Sequence, residues 1–175
     1  MALSKIDAAN FLTGTIPQGN VANASLGAVT SLPAGVGGKV LQIVNAHTGT
    51  QATSNSATYT DTGLTATITP SSTSSKILVL IDQSVSKAGS TYANIRVYRD
   101  STEIGGVVAG RSIGYTASSA NNYVGMGFTN SFLDTPSSTS ALVYKTQFNN
   151  NNADGTIRVQ VDSGQSYMTL MEIAG

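Results

Sequence analysis

The sequence predicts an all-β fold, an antiparallel β-sandwich built from short strands. After Lys39, apolar and polar residues alternate with a period of two, which is typical of strands with one face on a core and one in a polar setting. Turn-forming clusters such as "TDTG", "SKAGS" and "NNNNADG" interrupt these segments at short intervals. About eight to ten strands at this spacing favour a sandwich, and specifically a jelly roll.

The individual strands follow from the local pattern. Ala93, Ile95 and Val97 alternate with polar residues and tyrosines. In "YVGMGFTNSFLD" the apolar residues share one face, and glycines and hydroxyl residues mostly occupy the other. The predicted strands, in chain order, are about 39–45, 56–61, 63–69, 75–86, 92–98, 102–108, 123–134, 142–148, 156–162 and 166–174.

Two of these strands are apolar on both faces, "KILVLI" and the final "YMTLMEIAG". A strand in a sandwich normally has one wet face, so a second apolar face indicates either a covered central strand or contact with a neighbouring subunit. The candidate subunit-interface residues are Leu78, Leu80, Leu170 and Met171.

Residues 1–38 differ from the predicted β-sandwich knob, 39–175. They show little alternation, hold two of the four prolines, and end in the Gly-rich "PAGVGG", which indicates an extended arm with a hinge. Burying a large apolar side chain contributes about 1.5–3 kcal/mol, so we expect this arm to bind a partner surface; the alternative is a disordered terminus. The candidate anchoring residues are Ile6, Phe11, Leu12, Ile16, Val21, Leu26, Val29 and Leu32.

The hexamer "TPSSTS" occurs twice, at Thr69–Ser74 and at Thr135–Ser140. Each copy follows one run rich in apolar residues and leads into another. Proline fixes φ and has no N–H to donate, while Ser and Thr side chains can bond to local backbone groups. The hexamer is therefore predicted to be a polar connection between strands and not a recognition site.

Composition argues against several classes of function. Nine basic and nine acidic residues leave no net charge, so we expect no basic face for nucleic acid. With no cysteine and one histidine, the common zinc arrangements and any disulfide are excluded. The longest aliphatic run, 77–81, is too short to cross a bilayer, and the N-terminus has no apolar stretch typical of a signal peptide. We expect no cofactor, no metal and no membrane insertion.

A catalytic reading of the sequence finds little support. "GRSIG" matches the pattern G-x-S-x-G with Ser112 as nucleophile, but that motif needs a strand-turn-helix elbow followed by an acid and a histidine. No helical pattern follows, and His47 lies upstream. Asp100 and Glu103 form the only close acidic pair, and two ligands do not define a calcium site. The sequence predicts a protein that is not an enzyme, with no catalytic residue.

Aromatic residues in polar segments leave a binding role open. Tyr92, Tyr115 and Tyr123 lie in or near polar loops, where rings and amides could meet glycans. The alternative is that these tyrosines cap the edges of sheets.

Several stretches together resemble a known family. "GKVLQIVNA", "TATITPSSTSSKILVLI", "RVYRDSTEIG", "SFLDTPSSTSALVYKTQF" and "YMTLMEIAG" resemble small bacteriophage virion proteins that are common in marine phages, over about residues 38–175. The segment "KIDAANFLTGTIPQGNVANASLGAVTSLP" looks like those that precede the globular heads of phage fibre proteins. The resemblance implies a homotrimeric jelly-roll knob, similar in outline to trimeric tumour-necrosis-factor-like heads. It also implies a structural or fibre-like protein of the virion surface, made in the host cytoplasm.

Two virion roles remain open at this point. The first is a capsid cement, decoration or short head-fibre protein, whose partners are its own copies in a homotrimer and the phage major capsid protein. The second is a tail fibre or receptor-binding tip, whose partners are a tail or baseplate protein and a host surface glycan. An extended arm of 38 residues spans at most about 130 Å at roughly 3.4 Å per residue, which favours attachment to a surface that the knob itself covers. An enzyme acting on polysaccharide and a non-viral lectin are the other hypotheses.

Overall fold

A computed structural model describes residues 39–89, 92–104, 112–113, 123–151 and 155–175, with the backbone alone for 112–113. These residues form eleven β-strands and a short 3-10 segment, Val161–Ser163. The prediction of an all-β fold is confirmed. The predicted arm, 1–38, with its eight candidate anchoring residues, lies outside the described residues.

The strands have the following bounds in chain order. They are β1 Val40–Thr48, β2 Ala52–Ser54, β3 Thr60–Ile68, β4 Lys76–Ala88, β5 Ala93–Arg99, β6 Thr102–Glu103, β7 Ser112–Ile113, β8 Val124–Asp134, β9 Leu142–Asn150, β10 Thr156–Val159 and β11 Ser166–Ile173.

The strands form two antiparallel sheets. In the first sheet, residues 77–82 of β4 pair with β11 along one edge and with β8 along the other. Farther along β4, residues 85–87 pair with β10 and β8, so β10 and β11 share one edge of β4. Beyond them, β1 pairs with β11 and β2 pairs with β10. The second sheet has the order β3-β9-β5, with β6 and β7 both paired to β5.

The pairing of the longer strands is nested. β1 pairs with the last strand, β11, while β3 pairs with β9 in the other sheet. β4 pairs with β8, and β5 pairs with the short strands β6 and β7 that follow it. The chain therefore passes repeatedly between the sheets, and strands distant in sequence lie side by side.

Alternate residues of both sheets form one hydrophobic core cluster. From β4 the cluster takes Ile77, Val79, Ile81 and Val85, which share one face because successive side chains of a strand point to opposite faces. The second sheet contributes inward residues from β3, β5 and β9 to the same cluster. These include Leu64, Ile68, Ile95, Val97, Leu142, Tyr144 and Phe148. The predicted inward positions Ala93, Ile95 and Val97 are confirmed, since all three have no exposed surface.

Some predicted strand boundaries were wrong. Where two strands, 56–61 and 63–69, were predicted, the structure has one, β3, which begins only at Thr60. Gly63 has φ 85° within β3, and the pairing with β9 shifts register there without ending the strand. The strand predicted over 156–162 ends at Val159, because Gln160 takes a left-handed φ of 54°. The short strands β2 and β7 were not predicted, since two or three residues carry too little alternation to be recognised.

The prediction that the repeated hexamer connects strands is confirmed. Its first copy connects β3 of the second sheet to β4 of the first, and its second copy connects β8 of the first sheet to β9 of the second. Because Ile77 pairs with Asp134, both connections lie at the same end of the first sheet. They also form the same local hydrogen bond.

That shared bond uses equivalent serines. In the first copy the backbone N–H of Ser74 donates to Oγ of Ser72, at 3.2 Å. In the second copy the N–H of Ser140 donates to Oγ of Ser138, at 3.0 Å. In such turns a side-chain hydroxyl accepts a hydrogen bond from a backbone N–H that has no partner strand at this point.

A buried carboxylate ties the first copy to the first sheet. Glu172 of β11 has no exposed surface. Its Oε1 accepts hydrogen bonds from the backbone N–H and the hydroxyl of Ser71, at 2.7 and 2.6 Å, and its Oε2 accepts one from Nε2 of Gln42, at 2.6 Å. Burial raises the pKa of Glu172, but the hydrogen bonds from Ser71 and Gln42 outweigh that effect and lower the pKa from 4.5 to about 2.

A second carboxylate, immediately before the other copy, connects the two sheets. Asp134 of β8 accepts from Nη1 of Arg99 at 2.6 and 2.7 Å and from the hydroxyl of Tyr144 at 2.7 Å. Arg99 and Tyr144 belong to β5 and β9 of the second sheet. Burial and the carboxylate of Asp134 both raise the pKa of Tyr144, which stays a protonated donor. Each hexamer thus lies beside a carboxylate that accepts several hydrogen bonds.

We predict that Glu172→Gln lowers the free energy of unfolding at pH 7 by up to about 3 kcal/mol. The pKa of Glu172 is lower in the folded chain, so its contribution is complete above about pH 4.5 and is lost as the pH falls toward 2. Urea denaturation at pH 7 and pH 3 should show the difference between wild type and variant narrowing in acid. Glu103→Gln is the matched control: the side chain of Glu103 is 43% exposed, and its replacement should change stability by less than about 1 kcal/mol at either pH. A difference for Glu172→Gln that is the same at both pH values would contradict the assignment.

Candidate functional site: the outer face of the first sheet

Four aliphatic side chains form a continuous row across the first sheet. Ile43 of β1 is paired with Met171 of β11, Met171 with Leu78 of β4, and Leu78 with Leu133 of β8. In each strand a neighbouring residue belongs to the core cluster or packs against it, so these four side chains point to the opposite, outer face. We call Ile43, Met171, Leu78 and Leu133 the apolar row.

The apolar row is accessible in the single chain. Ile43 is 60% exposed and Leu133 is 52% exposed, while Leu78 and Met171 are half-buried between them. Val40, Leu41 and Leu80 add further exposed apolar surface beside the row. A contiguous patch of this kind, unlike single exposed leucines, is characteristic of a surface that binds another molecule.

Three of the four candidate interface residues lie on this face. Leu78 and Met171 belong to the apolar row, and Leu80 follows Leu78 on the same side of β4. Leu170 does not, because it has no exposed surface and packs in the hydrophobic core. Adjacent residues of a strand point to opposite faces, so Leu170 and Met171 cannot share a surface. Leu170 is therefore removed from the candidate interface.

Two members of the apolar row were missed in the sequence. Ile43 and Leu133 lie in strands for which the alternation predicts a single apolar face. The signal was present: Ile43 is followed by Val44, and Phe132 is followed by Leu133. Two large apolar residues in succession in a strand place one side chain on each face.

The outer face becomes polar along β4. One row beyond Leu78, Leu80 lies between Thr169 and Ser131, and Asn45 donates to Thr169 at 2.8 Å. In the next row, Asp82 pairs with Tyr167 and Thr129, and His47 pairs with Tyr167 at a ring-centroid distance of 6.0 Å. The face therefore has an apolar end, near the two hexamers, and a polar end.

The outer face of the second sheet has a different character. The guanidinium of Arg96 lies 3.7 Å from the ring centroid of Tyr59 and 4.7 Å from that of Tyr98, and it donates to Gln147. Asp61 accepts from Gln147 at 2.6 Å and from Lys145 at 3.0 Å. Partial burial raises the pKa of Asp61, but these hydrogen bonds outweigh it and hold the pKa below its ordinary value. This face carries ion pairs and aromatic–cation contacts suited to water.

The structure does not bring together the residues considered as catalytic or metal-binding candidates. His47 lies in β1 of the first sheet, whereas Ser112 lies in β7 of the second sheet, where the backbone alone is described. Asp100 accepts from the N–H of Val143 at 2.9 Å, while Glu103 pairs with Arg96 at 3.4 Å. Within the described residues, no three His, Cys, Asp or Glu side chains are close enough to hold a metal ion.

The three tyrosines considered for glycan binding have separate positions. Tyr92 is 40% exposed beside β5, and Tyr123 is 42% exposed at the start of β8. The guanidinium of Arg158 lies 4.0 Å from the ring centroid of Tyr123. Tyr115 lies outside the described residues.

Comparison with known proteins gives no family assignment. No protein-family model and no curated protein sequence matches the chain. Separately, none of the described residues belongs to a helix with the length and hydrophobicity required to cross a bilayer.

We predict that Leu170→Ala lowers the free energy of unfolding by about 2–5 kcal/mol, since it removes a fully buried leucine and leaves a cavity. Val143→Ala is the matched control, because Val143 is 38% exposed on β9; we expect a change of about 1 kcal/mol or less. Urea denaturation of both variants at one protein concentration measures the difference. A Leu170→Ala variant of wild-type stability with altered self-association would place Leu170 in the interface after all.

Proposed function

We propose that the chain is a non-enzymatic structural protein of a bacteriophage virion, a homotrimeric capsid cement, decoration or short head-fibre protein. The apolar row carries this proposal, because it gives a protein of low charge one strongly apolar outer face. In the proposal the row is the contact between copies, and the arm, 1–38, attaches the trimer to the major capsid protein.

The strand pairing supports a jelly-roll β-sandwich for each copy. In such a fold two Greek keys bring the first strand beside the last and nest the remaining pairs inside. The observed pairs, β1 with β11, β3 with β9, β4 with β8 and β5 with β6 and β7, follow that order. A core cluster drawn from both sheets is also what two facing sheets produce. This pairing supports the knob that the resemblance implies.

The energetics of the apolar row support self-association. Fully burying an aliphatic side chain contributes about 1.5–3 kcal/mol, and association costs on the order of 4–15 kcal/mol in lost freedom. Burying the four partly exposed side chains of the row, with Leu41 and Leu80 beside them, contributes a free energy equal to the lower part of this association cost. In a closed ring of three, every copy meets two neighbours, so the ring gains this contribution at three contacts.

The contrast between the two outer faces indicates which sheet of each copy faces the other copies. Burying the second sheet would desolvate the ion pairs of Arg96 with Glu103 and of Lys145 with Asp61, which is costly. Burying the apolar row removes no charge from water. We therefore place the first sheet toward the other copies and the second sheet toward solvent.

We predict that the purified protein has three times the mass of its 17.9 kDa chain and that Ile43→Glu/Leu133→Glu is a monomer. Both side chains are more than half exposed in the single chain, so the charges should block association without unfolding the monomer. Light scattering coupled to size exclusion gives the masses, and circular dichroism checks the strand content of the variant.

Val143→Glu is the control for this experiment, since it places one carboxylate of the same kind on the exposed face of β9. It should leave the mass of the assembly unchanged. A wild-type protein that stays at 17.9 kDa at all concentrations would remove the trimer from the proposal.

We predict hundreds of copies in each purified virion for the capsid role, and a few to a few dozen if the protein is instead a tail or receptor-binding tip. Quantitative mass spectrometry of virions measures this number, and a low value would favour the tail role.

Deletion of residues 1–32 should leave a folded knob that no longer joins particles, because many weak arm contacts multiplied by three act together. If the truncated protein still assembles on the virion, the attachment surface lies on the knob.

A further inference from the structure

The polar end of the same outer face contains an open groove. It has two parts: a smaller one of about 330 Å³ over Leu80 and Asp82, and a larger one of about 600 Å³ over the C-terminal half of β4 and the start of β8. A volume of this size lies within the range of about 300–1,000 Å³ that small-molecule sites occupy. We confine the inference to this larger part, which Tyr123, Arg158 and Asp162 border.

The floor of the groove is made of the smallest side chains. Ser84 pairs with Gly127 and Ser86 pairs with Gly125, so in these two rows the outward positions of β4 and β8 carry nothing larger than a hydroxymethyl group. Both glycines have ordinary strand φ values, and a Cβ on either would meet no described atom within 4 Å. Neither local conformation nor packing of the described chain therefore requires glycine there.

Glycine in the interior of a strand normally weakens it, because the residue loses more backbone entropy and has no side chain to pack. Two such glycines at alternate positions of β8, both facing outward, are a cost that the described fold does not explain. A close approach by a ligand to the backbone of the strand is a recognised reason for glycine at such positions.

One wall of the groove is a stacked pair. Arg158 of β10 pairs with Ser86, and the neighbouring position on β8 is Gly125. The side chain of Arg158 extends toward β8 and brings its guanidinium to 4.0 Å from the ring centroid of Tyr123. The stacking holds the ring in place, while 42% of the tyrosine stays exposed.

The other wall is the turn after β10. Gln160, Asp162 and Ser163 all take left-handed φ values, of 54°, 52° and 63°, and the turn presents the exposed carboxylate of Asp162 to the groove. One guanidinium and one carboxylate leave the groove without net charge. This balance disfavours a strongly charged ligand and favours a neutral one that both donates and accepts hydrogen bonds.

We propose that this groove binds a short neutral oligosaccharide of gluco-configured pyranoses. Such a ring has an apolar C–H face that stacks on the exposed part of Tyr123 and equatorial hydroxyl groups that bond to Arg158, Asp162 and Ser84, the floor serine that is not fully buried. The glycines let the sugar lie directly on the backbone of β8. The inference does not depend on the trimer or on the virion, because every group in it belongs to one chain.

The test is a titration of the full-length protein, labelled with nitrogen-15, with cellotriose, triacetylchitotriose and maltotriose, followed by amide chemical shifts. At least one trisaccharide should bind with a dissociation constant of about 0.1–10 mM and shift the amides of Gly125 and Gly127. Failure of all three to shift these amides at 20 mM would overturn the proposal.

Gly127→Val gives the sharper test, because its two expected effects have opposite directions. Filling the floor should weaken sugar binding at least tenfold, whereas replacing a strand glycine should raise the melting temperature by about 1–4 °C. Tyr123→Ala, at an exposed position, should weaken binding by a similar factor. Thr67→Val, on the exposed face of β3, is the matched control and should leave binding unchanged.

Two further outcomes would overturn the proposal. The first is unchanged sugar affinity in both Gly127→Val and Tyr123→Ala. The second is a Gly127→Val protein whose assembly mass changes while its sugar affinity does not, since the glycines would then serve contact between copies.

Discussion

The structure depends on β4, which is hydrogen-bonded along both edges. Its thirteen residues pair with β8 on one side and with β10 and β11 on the other. The pleat of the strand directs its side chains alternately to the two faces of the sheet. Ile77, Val79 and Ile81 enter the core, and Leu78 and Leu80 must therefore face outward. The apolar row follows from the central position of this strand.

The alternation of the sequence was sufficient to predict the strands that are half-buried and long. β5 and β9 alternate cleanly, and their inward residues, such as Ile95, Tyr144 and Phe148, are the ones found in the core. The predicted strand boundaries were wrong where the backbone departs from strand geometry at a residue whose type does not indicate such a departure. Gln160 takes a left-handed φ without being glycine, and Gly63 shifts the register of β3 without ending the strand.

The candidate site was predictable in part for the same reason. An apolar run such as "KILVLI" shows that both faces of a strand are apolar, but it does not show which residues face outward. That assignment needs the register between strands, and a displacement of one residue exchanges the faces. Leu170 and Met171 illustrate the point, since the sequence offered both and the pairing with Leu78 selects Met171. The groove was harder still, because Arg158 and Tyr123 are 35 positions apart and meet only through three paired strands.

The two proposed sites on the first sheet are compatible because they lie at opposite ends of β4. Leu78 and Ser86 are eight residues apart in one strand, which is about 27 Å at roughly 3.3–3.4 Å per residue. A contact between copies at the apolar row therefore need not cover the groove. Along β4 the outward residues become more polar, from Leu78 through Leu80 and Asp82 to Ser86. At the apolar end, association is favoured because apolar side chains are removed from water. At the polar end, hydroxyl and charged groups stay hydrated until a polar ligand replaces the water. One continuous face can thus hold an assembly contact and a binding site without either compromising the other.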